Sequence, residues 1–251
     1  MNSPSPDLPA TRAPFPVTQW QVVREAADDR PAERSRALGD LAAVYWRPVY
    51  GYLRRKWSLS HDDARDLTQD FFASLSERNR LTAVSQDKGK FRSYVMAALD
   101  NTARMDHREK RAAKRGGGVA PLALDAIEGF EPPAAESAED VFQREWAGSI
   151  LDGALREMEE ESRAAGREAE HRVFLARDVE AGPDDDVGYE ALSKKFGLSS
   201  SEVTRALYNA RKRLRELVAA RVRDTVSTPE EAEIEMRELF QEAIRWRKGR
   251  T

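Results

Sequence analysis

Apolar residues recur at three- and four-residue intervals along almost the whole chain, and no stretch alternates apolar and polar positions long enough to specify a strand. Trp20, Val23 and Ala27 share one face of a short helix that the capping box Thr18-Gln19-Trp20-Gln21 would open. The spacing predicts further helices over 33–57, 61–77 and 90–114. Gly116-Gly117-Gly118 ends the last of these, and residues 116–136, rich in Gly, Ala, Pro and Glu, read as a linker. From Ala138 onward, Val141, Phe142, Trp146, Ile150, Leu151, Leu155 and Met158 make the apolar face of a new helix. Another helix over 167–180 is stopped by Ala181-Gly182-Pro183, and shorter ones follow over 188–196 and 200–223. Thr228-Pro229-Glu230-Glu231 starts the last helix, with Pro at its first position. The expected fold class is all-α: two helical domains, 17–115 and 137–226, joined by a flexible linker over 116–136. A disordered N-terminus over 1–16, with five prolines, and a C-terminal helical extension over 227–251 flank them.

Composition narrows the chemistry. The chain has no cysteine, which excludes disulfides, thiolate zinc sites and cysteine nucleophiles. Its three histidines (His61, His107 and His171) form no ligand-spaced pair, so no metal site is expected. The carboxylates lack a nucleophile triad or a glycine-rich phosphate loop, and Gly116–Gly118 lacks the Lys-Ser/Thr context of one. No enzyme activity, catalytic residue or cofactor is expected. No apolar run approaches the roughly 20 residues of a membrane span, and the N-terminus lacks a signal-peptide core, so the chain reads as cytoplasmic and not membrane-inserted.

The formal net charge is -3, yet two helical stretches are strongly basic: Arg104–Arg115 and Arg205–Arg223. In the first, Arg104, Arg108, Arg111 and Arg115 form a stripe flanked by His107, Lys110 and Lys114. Phe91, Tyr94, Val95, Ala98, Thr102 and Met105 make the expected buried side. Basic helix ends are common as solvated faces favoured by the helix dipole, but this stretch carries more cations than a dipole requires. Phosphate binding, driven by counterion release, accounts for the excess.

The second basic stretch continues a helix-turn-helix pattern. Ala191, Leu192 and Phe196 line a first helix, Gly197 supplies the turn, Leu198 the apolar plug, and Ser199–Glu202 a capping box. Val203, Leu207, Ala210 and Leu214 then face inward. Ser200, Ser201, Thr204, Arg205, Tyr208 and Asn209 are left toward a groove, with Arg211, Lys212 and Arg215 placed for phosphates. The plainer reading is an ordinary helical hairpin.

A third element, Ser60–Leu75, is acidic. Ser60 and Asp63 make a capping-box-like start; Ala64, Leu67, Phe71 and Leu75 form an inward stripe with Phe72 beside it. Asp62, Asp66 and Asp70, with Gln69, fall on another face. Capping accounts for Asp62 and Asp63 but not Asp70, which lies beyond the first turn. The face is either simply solvated or a docking surface for a basic partner helix.

These three elements, in this order, resemble a bacterial RNA polymerase sigma factor of the extracytoplasmic-function group. Asp63-Ala64-Arg65-Asp66-Leu67-Thr68-Gln69-Asp70-Phe71-Phe72 is similar to that family's D-A-x-D-L-x-Q-x-x-F helix. Phe91-Arg92-Ser93-Tyr94 with Asn101 is similar to its F-R-x-W…N segment, and Tyr189–Leu217 to its −35-reading domain. The likeness spans about residues 38–220. It implies a region-two domain over 17–115, a region-four domain over 137–226, and no region three between them. Tyr94 stands where the family usually has Trp, Asp100 where Arg is common, and Ala206 and Asn209 where arginines are frequent. No −35 sequence preference therefore carries over.

The resemblance implies promoter-specific transcription initiation. Asp63, Asp66, Leu67, Gln69, Asp70 and Phe71 would dock on the beta-prime clamp helices of core RNA polymerase, with the second domain on the beta flap. Arg92, Tyr94, Asn101, Arg104, Arg108 and Arg111 would handle −10 DNA, and the loop Asn79–Lys90 would capture an unstacked base. Ser200, Ser201, Thr204, Arg205, Tyr208, Asn209, Arg211 and Lys212 would meet the −35 element. An anti-sigma factor or a Ser/Thr kinase, acting at Thr68, are further expected partners. The C-terminal helix, with Ile234, Met236, Leu239, Phe240, Ala243, Ile244 and Trp246, either packs back on the chain or binds a partner. Competing readings are a helix-turn-helix regulator that acts without polymerase, a helical adaptor, and a nuclease or recombinase, which lacks a metal-binding set.

Overall fold

The computed structural model describes residues 19–28, 30–75, 81, 84, 90–112, 136–181, 187–223 and 229–248, without the side chains at 19–21, 109–112, 223, 229, 231, 232 and 243–248. The described residues are helical, with no strand among them. Outside them fall residues 1–16, the Thr18 cap, most of the 79–90 loop, Gly116–Gly118, nearly all of the 116–136 linker, the Gly182-Pro183 stop and Thr228.

The N-terminal half contains α1 (Gln19–Ala26), α2 (Pro31–Trp57), α3 (His61–Leu75) and α4 (Phe91–Ala112). Pro31 opens α2 at its first turn, where a missing N–H costs nothing, and Ser58 closes it in the left-handed region at φ 50°. At the start of α3 the Asp63 N–H donates to Ser60 Oγ (3.1 Å), and the Ser60 hydroxyl donates to the Asp63 carboxylate (2.6 Å). The C-terminal half contains α5 (Ala138–Ala164), α6 (Glu168–Phe174), α7 (Tyr189–Phe196), α8 (Ser200–Arg223) and α9 (Pro229–Lys248). The helix expected over 167–180 is interrupted: α6 passes into a π-helical turn over Leu175–Val179, where the Glu180 N–H reaches back to the Leu175 carbonyl. Such a turn inserts one residue into the helical repeat and re-aims the side chains that follow. Among the described residues no helix is long and apolar enough to cross a membrane.

The two expected halves share one apolar cluster. α2 lies along α5, and Tyr45 is the seam: its ring meets Phe91 of α4 edge-on (5.4 Å) and Phe142 of α5 (6.2 Å). Tyr52 adds a second edge contact to Phe142 at 6.1 Å. Charges tie the same junction. Arg47 reaches the buried carboxylate of Glu145 (3.1 Å), Arg144 bridges Glu145 (3.2 Å) and Glu136 (3.0 Å), and Lys56 reaches Glu139 (3.2 Å). α9 packs back on α5 and α8, burying Leu239 and partly burying Met236 and Phe240, while Ile234 stays 52% exposed. The side chains of Ala243, Ile244 and Trp246 lie outside the description.

Candidate functional site

The acidic helix separates its two faces cleanly. Ala64, Leu67, Phe71, Phe72 and Leu75 are buried, with Phe72 stacked on Trp46 of α2 (5.6 Å). Asp62, Asp63, Asp66 and Asp70 are exposed and Gln69 is half-buried. Arg65 stands between Asp62 and Asp66 at 3.7 and 3.8 Å, too far to neutralise either strongly. Leu67 and Phe71 are buried against the core and therefore hold the helix in place. Thr68 is 0% exposed, and its hydroxyl donates to the Ala64 carbonyl (2.6 Å). In this packing it is not offered to a kinase.

The basic helix α4 is built differently from the expected pattern. Its buried side runs through Phe91, Val95, Leu99 and Ala103, a strict four-residue repeat; Tyr94, Ala98 and Thr102 are half-buried and Met105 is 52% exposed. Tyr94 stacks on Phe91 at 5.8 Å with 26° between the rings. Asn101, Arg104, His107 and Arg108 are exposed, and neither Arg104 nor Arg108 pairs with another described residue. The Arg111 side chain lies outside the description. Arg92 departs from the expectation of a surface cation: it is 7% exposed, with its guanidinium over the Trp146 ring (4.7 Å) and paired to Glu235 of α9. Burial lowers its pKa from the ordinary arginine value. Lys90, just before the helix, pairs with the same Glu235. Asp100, unusual for the resembled pattern, accepts hydrogen bonds from Tyr52 (3.2 Å) and Lys56 (3.0 Å), so it anchors α4 to α2.

The turn expected between α7 and α8 is formed. Gly197 adopts φ 67°, a left-handed conformation that glycine reaches without a Cβ penalty, and the Leu198 N–H reaches back to the Ser193 carbonyl (3.2 Å). Leu198 packs partly against the core. The Ser199 N–H and hydroxyl both donate to Glu202 Oε2 (2.8 and 2.6 Å), and the Glu202 N–H donates to Ser199 Oγ (3.3 Å). These bonds hold the Glu202 carboxyl below its ordinary range. Val203, Ala206 and Leu207 are buried; Ala210 and Leu214 are partly buried. Ser200, Ser201, Thr204, Arg205, Tyr208 and Asn209 share the exposed surface, with Tyr208 at 64%. Ala206 therefore belongs to the core and not to a reading face.

Three arginines of the second basic stretch are paired to carboxylates within the chain. Arg211 forms a two-point pair with Asp178 in the π-helical turn, and Arg213 pairs with Glu161 of α5 (2.5 Å). Arg221 is buried against α5, donating to Glu157 (2.6 Å) and to the Gly153 carbonyl (3.3 Å). Arg211, expected at a phosphate, is engaged here by Asp178 while its side chain stays 41% exposed. Arg205, Lys212 and Arg215 remain exposed, Lys212 only loosely near Glu216 at 4.0 Å. Composition alone could not reveal this division, because each of these paired arginines is matched by a carboxylate 33 or more positions away. Comparison with protein-family models, with curated proteins and with solved structures returns no match.

Proposed function

We propose that this chain is a sigma factor of the extracytoplasmic-function type, binding core RNA polymerase through α3 and directing initiation at a set of promoters. The observation that carries the reading is the α3 surface: four aspartates stand exposed on a helix whose opposite side is fixed by Leu67, Phe71 and Phe72. A solvated acidic face needs no such rigid mount, whereas a basic helical partner would be met by it without reorganisation.

In this reading Arg104 and Arg108, with Tyr94 and Asn101 on the same helix, support the −10 strand. Arg205, Tyr208 and Asn209 on α8 face the −35 duplex, and Lys212 holds phosphate. The region-two and region-four domains of the resembled family correspond here to α1–α4 and α5–α8. Because either basic face alone carries few cations, polymerase supplies much of the effective affinity by tethering both. The deciding experiment is reconstitution: the purified chain with core polymerase and promoter DNA should co-elute and yield promoter-specific run-off transcripts. Absence of both would leave a helix-turn-helix regulator, which the formed α7–α8 turn also suits, and which binds specific duplex without polymerase.

A further inference from the structure

We propose that α9 is a built-in latch: the carboxylate of Glu235 occupies Lys90 and Arg92, and so withholds the cations at the start of α4 from nucleic-acid phosphate until α9 is displaced. The proposal rests on the reading that the α4 face meets nucleic acid.

Glu235 is 1% exposed, yet its neighbours on α9 show that this face suits apolar burial: Leu239, one turn on, is 2% exposed among the core residues. A carboxylate taken out of water is unfavourable unless cations meet it. Both partners here come from the beginning of α4, Lys90 and Arg92, about 145 positions earlier in the chain. Glu235 therefore fixes where along α4 the last helix docks, since sliding α9 by one turn would bury the carboxylate without a cation.

A carboxylate and a phosphodiester compete for the same two cations. With Glu235 in place, Arg92 is pinned between the carboxylate and the Trp146 ring and shows almost no surface. Once α9 leaves, the guanidinium can turn outward on its flexible stem, on the same helix as the exposed Arg104 and Arg108. A latched state of this kind lowers apparent affinity by the fraction of molecules in which it is open.

The test uses the full-length chain and a fluorescent single-stranded DNA oligonucleotide at fixed salt. Glu235→Gln removes the charge and keeps the shape; Leu239→Ala loosens α9 and keeps the charge. Both should bind the oligonucleotide about tenfold tighter than the parent, the gain expected when a mostly latched population opens. The log–log salt slope should steepen by about 0.7 for each cation released to a single strand. Arg92→Gln added to Glu235→Gln should return the affinity to the parent's. Hydrogen exchange across 229–248 reports whether α9 has been released. Unchanged affinity and salt slope with α9 released overturn the latch. If α9 stays protected in both variants, Leu239→Asp, which puts an uncompensated charge on its buried face, forces it off in the intact chain, and unchanged DNA affinity there overturns the proposal equally. Core-polymerase co-elution is scored in parallel. Failure to bind polymerase, with the DNA gain intact, removes the sigma reading and leaves the latch. Polymerase binding without any DNA gain does the reverse.

Discussion

The guanidinium of Arg211 grips the carboxylate of Asp178 through two parallel hydrogen bonds, Nε to Oδ2 at 2.7 Å and Nη2 to Oδ1 at 2.8 Å. The pair ties α8 to the π-helical turn, and it raises the arginine pKa further. Both groups keep some solvent contact, so the pair orients more than it stabilises. Asp178→Ala should lower stability in urea unfolding by only about 0.5–1 kcal/mol. It should also free Arg211 for phosphate and steepen the salt dependence of duplex binding by about 0.9 in the log–log slope. An unchanged slope would show that Arg211 does not face DNA even when released.

The two faces of α3 predict opposite phenotypes. Asp66→Lys combined with Asp70→Lys changes only exposed positions, so unfolding free energy should move by no more than about 0.5 kcal/mol per site. Co-elution with core polymerase should nevertheless be lost. Phe71→Ala should instead cost about 3–5 kcal/mol through the cavity it leaves under the helix. Calorimetry beside a co-elution assay separates the two.

On α8, Arg205→Ala and Tyr208→Ala remove exposed groups and should weaken duplex binding without shifting the thermal midpoint measurably. Ala206→Arg, which would restore a residue type frequent in the resembled family, should destabilise the chain because position 206 is 2% exposed. Ser199→Ala should cost about 1 kcal/mol by opening the α8 cap.

Glu145 is 1% exposed, accepts a hydrogen bond from Arg47 and lies 3.2 Å from the Arg144 guanidinium at the α2–α5 junction. Glu145→Ala leaves buried arginine charge uncompensated and should cost about 3–5 kcal/mol in urea unfolding. Glu139→Ala, at an exposed position on the same helix, should cost well under about 1 kcal/mol.

Burial pushes the His171 imidazole below its ordinary pKa, with Glu159 opposing the shift only in part. The folded chain thus holds this proton less tightly than the unfolded one, which takes it up near pH 6.5. Stability from this group is full above that pH, falls as the pH drops through it, and stops falling once the folded histidine is also protonated. His171→Leu should flatten that part of the profile when thermal midpoints at about pH 7.5 and about pH 5.5 are compared.

Helix positions were legible because local chemistry marks them. Ser60 with Asp63, and Ser199 with Glu202, cap the helices that the sequence places there, and Gly197 turns the chain where no other residue would do so without strain. The buried side of α4 was less legible: Met105 suits the helical spacing but is exposed, while Leu99 and Ala103 continue the repeat set by Phe91 and Val95. Least legible were the inward charges. Arg92, Arg144, Glu145, Arg221 and Glu235 look like surface residues in any local window, and only partners distant in sequence make their burial tolerable. The exposed aspartates of α3 and the exposed residues at the start of α8, in contrast, lie where their helical phase puts them.

Tyr45 and Phe91 belong to the first half of the chain, and Tyr45 joins that half to the second by packing on both Phe91 and Phe142. A chain severed anywhere between Ala112 and Glu136 would therefore yield two incomplete fragments, each displaying the apolar strip that the other covers. Such fragments should aggregate alone, reassemble when mixed, and regain a single sharp melting transition. The same seam makes the protein a natural candidate for split-reporter engineering, with Phe142 as the position at which reassembly can be tuned.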